Sequence, residues 1–163
     1  EQLITAPRKH HNNGGVIIDG MDNCLVKFAR CCNPVPGDPI IGFITRGYGV
    51  SVHRADCPNV LRSRDNPAEA GRWIRVSWAD KTSEEYHTML QVVAKDRISL
   101  IVDVSTVLSA TKTRVLSLNA RSTPDGFALL DLGISVSGRE QLKTVTSRLE
   151  QIQGVMKVTR PAG

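Results

Sequence analysis

Residues 86–160 pass between strand-like and helix-like patterns in an order that few folds can accommodate. Thr88–Ala94 reads as a strand, and Leu100, Val104, Val107 and Leu108 then recur at helical spacing behind Ser99, which predicts a capped helix through about Ser109. Thr113–Ala120 alternates again, Pro124-Asp125-Gly126 supplies a turn, and Phe127–Val136 completes a hairpin. Ser137 and Glu140 have the spacing of a capping box, and the stripe Leu142, Val145, Leu149 and Ile152 stops at Gly154. Val155–Thr159 is the last strand. The order β-α-β-β-α-β is that of a ferredoxin-like sandwich, an α+β fold that leaves function open.

The first half is punctuated more heavily. Residues 1–15 are polar, carry His10-His11 and end in Asn-Asn-Gly-Gly, so they read as a flexible lead-in. Val16–Asp19 and Leu25–Arg30 are short strands, and Pro34, Pro36, Gly37, Asp38 and Pro39 crowd into six positions that must turn. Ile40–Thr45 and Val50–His53 form a hairpin across Arg46-Gly47-Tyr48-Gly49. Asp56 is placed to cap a short helix from Cys57-Pro58 to about Arg62; Trp73–Trp78 is a further strand. The acidic stretch 80–85 separates a small α+β module, 16–79, from the sandwich, 86–163.

Charge and composition narrow the functional classes. The 163 residues are 40% hydrophobic and 23% charged, an ordinary composition for a chain that buries a core. Apolar runs such as Leu100-Ile101-Val102 fall far short of the ~18 residues that span a bilayer, which argues against a membrane protein. The chain opens on Glu1-Gln2 without a secretory pattern and is expected to be part of something longer. Net charge is +5, which suits a polyanionic partner. Eight basic and four acidic side chains lie between Arg8 and Arg64, and ten and six from Thr88 onward, so both halves are basic around the acidic joint. Aromatic residues are only 4%, too few for a surface that stacks successive bases.

All four cysteines, Cys24, Cys31, Cys32 and Cys57, occur by residue 57. Adjacent α-carbons lie only ~3.8 Å apart, so Cys31 and Cys32 are poor disulfide partners, and a reduced, cytoplasmic setting is the better expectation. His53 and Cys57 are four apart, and with Cys31 and Cys32 they make a candidate tetrahedral Cys3His zinc site, provided the chain bends near Asn33-Pro34. The alternative at this spacing is a set of packed thiols with His53 satisfying a local backbone group. Cys24 is expected to pack. A catalytic Cys–His pair lacks a clear orienting group beyond Asp56, and no Walker-type phosphate loop occurs.

The segment CCNPVPGDPIIGFITRGYGVSVHRADCPN, Cys31 to Asn59, closely resembles the zinc-finger or conserved-cysteine module, also called the ribosome-intersubunit module, of the RelA/SpoT family. Those are the long stringent-response enzymes that make and degrade (p)ppGpp. In that family an ACT domain of β-α-β-β-α-β order follows, as residues 86–160 do here. The resemblance implies the C-terminal regulatory region of such an enzyme, without catalytic residues, and a parent that is a GTP pyrophosphokinase, a (p)ppGpp hydrolase or both. It implies zinc on Cys31, Cys32, His53 and Cys57. It also implies contact with the ribosome, 23S rRNA and A-site tRNA, with Arg30, Arg46, Arg54, Arg62 and Arg64 facing phosphate, and with the catalytic domains of the same chain. Tyr48 departs from a family pattern that often has a basic residue at the hairpin tip. The ACT resemblance implies a homodimer and a branched-chain amino acid near Asp96, Arg97, Ile98, Ser99 and Leu100, with Asn119 from across the interface. A stand-alone amino-acid sensor and a plain dimerisation element are the alternative functions.

Overall fold

The computed structural model of the chain describes residues 14–19, 24–47, 49–80 and 85–161. Most of the lead-in, the hairpin-tip Tyr48 and the centre of the acidic joint lie outside the described residues. Among those described, no helix is long and apolar enough to cross a membrane.

The first half contains β1 (Val16–Ile18), β2 (Leu25–Phe28), β3 (Ile40–Ile44), β4 (Gly49–Arg54), α1 (Pro58–Arg64), β5 (Trp73–Ile74) and β6 (Val76–Trp78). β3 and β4 form the expected antiparallel hairpin, with Gly42 opposite Val52, and β2 runs parallel to β4 on its far side. The segment expected as one strand, Trp73–Trp78, is two: Trp73–Ile74 pairs with β3, and after Arg75 the chain joins β1 in a separate two-stranded sheet. Burial explains the split, because Val76 must turn into a small core with Val16, Ile18, Val50 and Val52. Gly42 permits that approach: a Cβ there would meet methyl groups of Val50 and Val76 at 2.8 Å. Asp56 does not cap α1. Cys57 is the N-cap, in an extended conformation set ahead of Pro58, and the Asp56 carboxylate instead pairs with Arg54 at 2.9 Å.

The second half contains β7 (Tyr86–Lys95), α2 (Leu100–Ala110), β8 (Arg114–Ser122), β9 (Phe127–Val136), α3 (Arg139–Glu150) and β10 (Val155–Thr159). Its antiparallel sheet has the order β10-β7-β9-β8, the ferredoxin-like arrangement. Leu100, Val104 and Leu108 of α2 and Leu142, Val145 and Leu149 of α3 pack on the inward residues of β7 and β9. Ser99 is the N-cap of α2, as expected, but without a side-chain bond. It sits at φ 68°, and its carbonyl accepts the Asp103 N–H. Gly138, not Ser137, is the N-cap of α3, so the reciprocal partner three residues on is Gln141 rather than Glu140. Its side-chain oxygen accepts from the Ser137 amide at 2.9 Å and the Ser137 hydroxyl at 3.1 Å. β8 is an edge strand exposed along its whole length, so its alternating pattern does not mark burial.

The two halves pack directly. Val35, at the crowded proline turn, is fully buried in the core of the second half. Phe28 and Trp78 stack with centroids 5.8 Å apart, and Tyr86 meets both edge-on. The Pro36 carbonyl accepts the Arg139 amide at 2.7 Å. Arg160 donates to both carboxylate oxygens of Asp38 at 2.9 Å and to the Asn33 carbonyl at 3.0 Å. The Val35 amide donates to the same Asp38 carboxylate at 2.9 Å.

Candidate metal centre

The four residues nominated by spacing converge. Residues 29–33 wind into a turn in which the Asn33 amide donates to the Ala29 carbonyl at 2.9 Å, and Asn33 takes a φ of 45°. That turn lets neighbouring thiols face one point instead of opposite sides of a strand. β4 brings His53 to the same point, and Cys57 arrives at the start of α1. The Cys31 Sγ lies 3.4 Å from His53 Nδ1, 3.6 Å from Cys57 Sγ and 3.9 Å from Cys32 Sγ. Cys32 Sγ is 3.9 Å from His53 Nδ1, and all four ligand atoms fall within 4.8 Å of one another.

These separations can be compared with an ion. Metal–sulfur bonds of ~2.3 Å and metal–nitrogen bonds of ~2.0 Å in a tetrahedron place sulfurs about 3.8 Å apart and sulfur and nitrogen about 3.5 Å apart. The observed contacts straddle both values. The cluster can hold a metal ion, and its donor set, three sulfurs and one imidazole, is the soft set that suits zinc. Surrounding groups orient the ligands, as metal sites require. The Arg54 amide donates to Cys32 Sγ at 3.2 Å, Ser51 Oγ lies 3.3 Å from His53 Nε2, and Trp73 packs edge-on against the imidazole with centroids 5.7 Å apart. Ser51 and Trp73 carry no sequence signal of this role beyond their places on β4 and β5.

Titration follows from the same packing. Burial pushes the Cys32 thiol up to about 12, partly countered by the Arg54 amide and reinforced by Cys31 and Cys57. Burial also raises Cys57, but the amides of Asn59 and Val60 and the neighbouring thiols outweigh it, so that thiol is the more acidic one. Burial lowers His53 below its ordinary 6.5, which keeps the imidazole neutral and fit to bind a cation. Cys24 lies apart from the cluster and packs against the small core of β1, β4 and β6.

The remaining expected residues are distributed as follows. Arg30, Arg46, Arg62 and Arg64 are exposed, whereas the Arg54 side chain is only 14% exposed and pairs with Asp56. In the second half the Asp96 carboxylate accepts from Ser122 at 2.7 Å, and Arg97 reaches Asp103 at 2.6 Å and the Gln153 carbonyl at 3.0 Å. Ile98 is 93% exposed, Leu100 is a core residue, and Asn119 lies on the exposed β8. Sequence reasoning missed Val35, Asp38 and Arg160, whose pairing across the two halves has no local signal.

Comparison with known proteins follows this division of the chain. The family model described as the RelA/SpoT RIS domain matches residues 16–79, and an ACT-domain model matches residues 82–160. The chain belongs to the RelA/SpoT family. It corresponds to the C-terminal region of such a protein, and the two domains it matches are regulatory ones. A GTP pyrophosphokinase of Escherichia coli is 37% identical over 164 aligned residues, covering 100% of this chain and 22% of that protein. A GTP pyrophosphokinase of Streptomyces coelicolor is 39% identical over 153 residues, covering 94% of this chain and 18% of that protein. The chain thus spans about a fifth of the length of these relatives. Among solved structures, the ACT domain from a GTP pyrophosphokinase of Chlorobium tepidum aligns with a TM-score of 0.43 at 23% identity, covering 47% of this chain and 99% of that one.

Proposed function

We propose that this chain is the regulatory region of a stringent-response enzyme with GTP pyrophosphokinase or (p)ppGpp hydrolase activity, acting in the cytoplasm by engaging the ribosome and biasing catalytic domains of the same polypeptide. The observation that carries this reading is the succession of RIS and ACT domains along one chain, with relatives named GTP pyrophosphokinase aligned across both. In this reading Cys31, Cys32, His53 and Cys57 hold zinc, which ties the turn at Asn33 to β4 and α1. Exposed Arg30, Arg46, Arg62 and Arg64, with the more covered Arg54, meet rRNA phosphates beside the A-site tRNA. Arg30→Glu with Arg46→Glu is expected to weaken association with ribosomes and to lower its salt dependence by about one unit of slope per lost contact. Unchanged binding across a salt titration refutes the RNA role. Metal analysis of the reduced chain is expected to find one zinc, lost in Cys57→Ser; a chain purified without metal refutes the zinc assignment.

Amino-acid sensing is a second reading, favoured by the exposure of β8 and Ile98. Two copies pairing along β8 would bring Asn119 of one toward the Asp96–Leu100 loop of the other and enclose a branched-chain ligand. A chain that stays monomeric, and gives no heat with valine, isoleucine or leucine, refutes it.

A further inference from the structure

A cleft of about 330 Å³ opens where α3 and β10 of the ACT domain meet the end of β4 in the RIS domain. That is the lower end of the ~300–1,000 Å³ typical of small-molecule sites. Its polar wall includes Arg54, Arg139, Lys143, Thr146, Thr159 and Arg160. A neighbouring recess shares Arg54, Arg139 and Arg160 and adds Asp38 and Asp56. Four cations from two domains therefore face one place. Of the carboxylates nearby, Asp56 and Asp38 are already paired with Arg54 and Arg160, which leaves Glu150, at the far end of α3 from Arg139, as the one unpaired carboxylate of the cleft wall. Among the described residues Arg139, Lys143 and Glu150 enter no ion pair. Arg139 and Lys143 stand four apart on α3, the spacing at which like charges repel.

Two further atoms single out this place. Arg54 Nη1 and Arg160 Nε are buried and have no hydrogen-bond partner. Buried guanidinium N–H groups are costly without an acceptor, and among the described residues the two other buried side-chain polar atoms in that condition, Trp73 Nε1 and Ser135 Oγ, belong to residues that line neither recess. An acceptor with several charged oxygens would meet the guanidinium groups of Arg54 and Arg160 that line the cleft and neutralise Arg139 and Lys143. Phosphate oxygens match guanidinium forks, and the hydroxyls of Thr146 and Thr159 can donate to the oxygens that remain.

We infer that this cleft binds the diphosphate group of a small phosphorylated molecule, with Arg54 of the RIS domain and Arg139, Lys143 and Arg160 of the ACT domain as its ligands. Because both domains contribute, the site exists only while they are docked. Binding there would hold them together, and Arg54 is the one arginine this cleft shares with the set proposed to face RNA.

Calorimetry of the intact chain with pyrophosphate tests the inference, with inorganic phosphate, sulfate and an RNA duplex titrated in parallel. Saturable one-site binding of pyrophosphate, tighter than that of phosphate or sulfate, is the expected result. Arg139→Ala with Lys143→Ala removes two exposed cations that hold no ion pair, so thermal melting should confirm an intact fold. Affinity should fall at least about tenfold, while Arg46→Ala leaves it unchanged. Absence of saturation at millimolar pyrophosphate overturns the inference, as does equal affinity for sulfate or an unchanged affinity in the folded double variant. RNA binding that the double variant abolishes, without pyrophosphate binding in the parent chain, overturns it too and assigns the cleft to a nucleic-acid backbone.

Discussion

Asp38→Ala should be among the most damaging single substitutions on the RIS side of the joint. The Asp38 side chain is 4% exposed and its partner Arg160 only 17% exposed, so neither solvent nor salt screens the pair substantially. Removing the carboxylate deletes both 2.9 Å contacts to Arg160 and the 2.9 Å contact from the Val35 amide. It leaves a covered guanidinium whose remaining acceptor is the Asn33 carbonyl. Breaking a buried pair from one side costs about 3–5 kcal/mol, a large share of the ~5–15 kcal/mol that stabilises a domain. Arg160→Ala should cost a comparable amount, and the double variant little more than either, because the unpaired partner is then gone. Urea unfolding of the three variants, followed by tryptophan fluorescence, gives the cycle. Trp78 reports on the joint because its indole N–H donates to the Asp38 carbonyl at 3.0 Å. Strictly additive losses, or a loss below about 1 kcal/mol for Asp38→Ala, would refute the claim that this pair fastens the two domains.

Gly42→Ala should destabilise the RIS domain by about 1–3 kcal/mol, since its methyl would press on Val50 and Val76 at 2.8 Å. Gly47→Ala, with no atom within 4 Å of the added carbon, is the matched control in thermal melts. Gln141→Ala should cost about 1 kcal/mol by removing the acceptor at the start of α3, read by chemical unfolding. The metal-free chain should have a pH window of stability. His53 titrates below its ordinary 6.5 in the fold, so its contribution is complete above that value and is lost as the unfolded chain takes up a proton on acidification. The Cys32 thiol, raised from 9.0 to about 12, contributes fully below pH 9 and loses its contribution as pH climbs toward 12. His53→Gln should flatten the acid limb of a stability-versus-pH curve and leave the alkaline limb in place.

What the sequence made legible depended on how local the determining physics was. The β-α-β-β-α-β order of the ACT domain follows from periodicity, because each helix or strand buries a face of its own. The convergence of the Cys–His cluster was legible for a related reason: His53 near the end of β4 and Cys57 at the N-cap of α1 are only four residues apart, and the proline after Asn33 marks the bend that brings Cys31 and Cys32 together. Two caps fell one residue from expectation, at Cys57 and Gly138, whereas Ser99 is the N-cap as expected but its left-handed backbone leaves the side-chain bond unmade. Exposure of β8 was hidden because its apolar residues alternate as a half-buried strand's would. The joint was wholly illegible. Asp38 read only as a turn residue, and Arg160 lies 122 positions away.

The segment from Cys31 to Asp38 has its thiols at one end and its grip on the ACT domain at the other, with Asn33 between them. A molecular cut made in the acidic stretch, where the family boundaries fall, would therefore not yield two self-sufficient pieces. The ACT half would lose Val35 from its interior and the carboxylate that faces Arg160, while the RIS half would bare Phe28 and Trp78. The two domains share one buried surface, and exchanging either for a foreign counterpart would require that surface to be rebuilt.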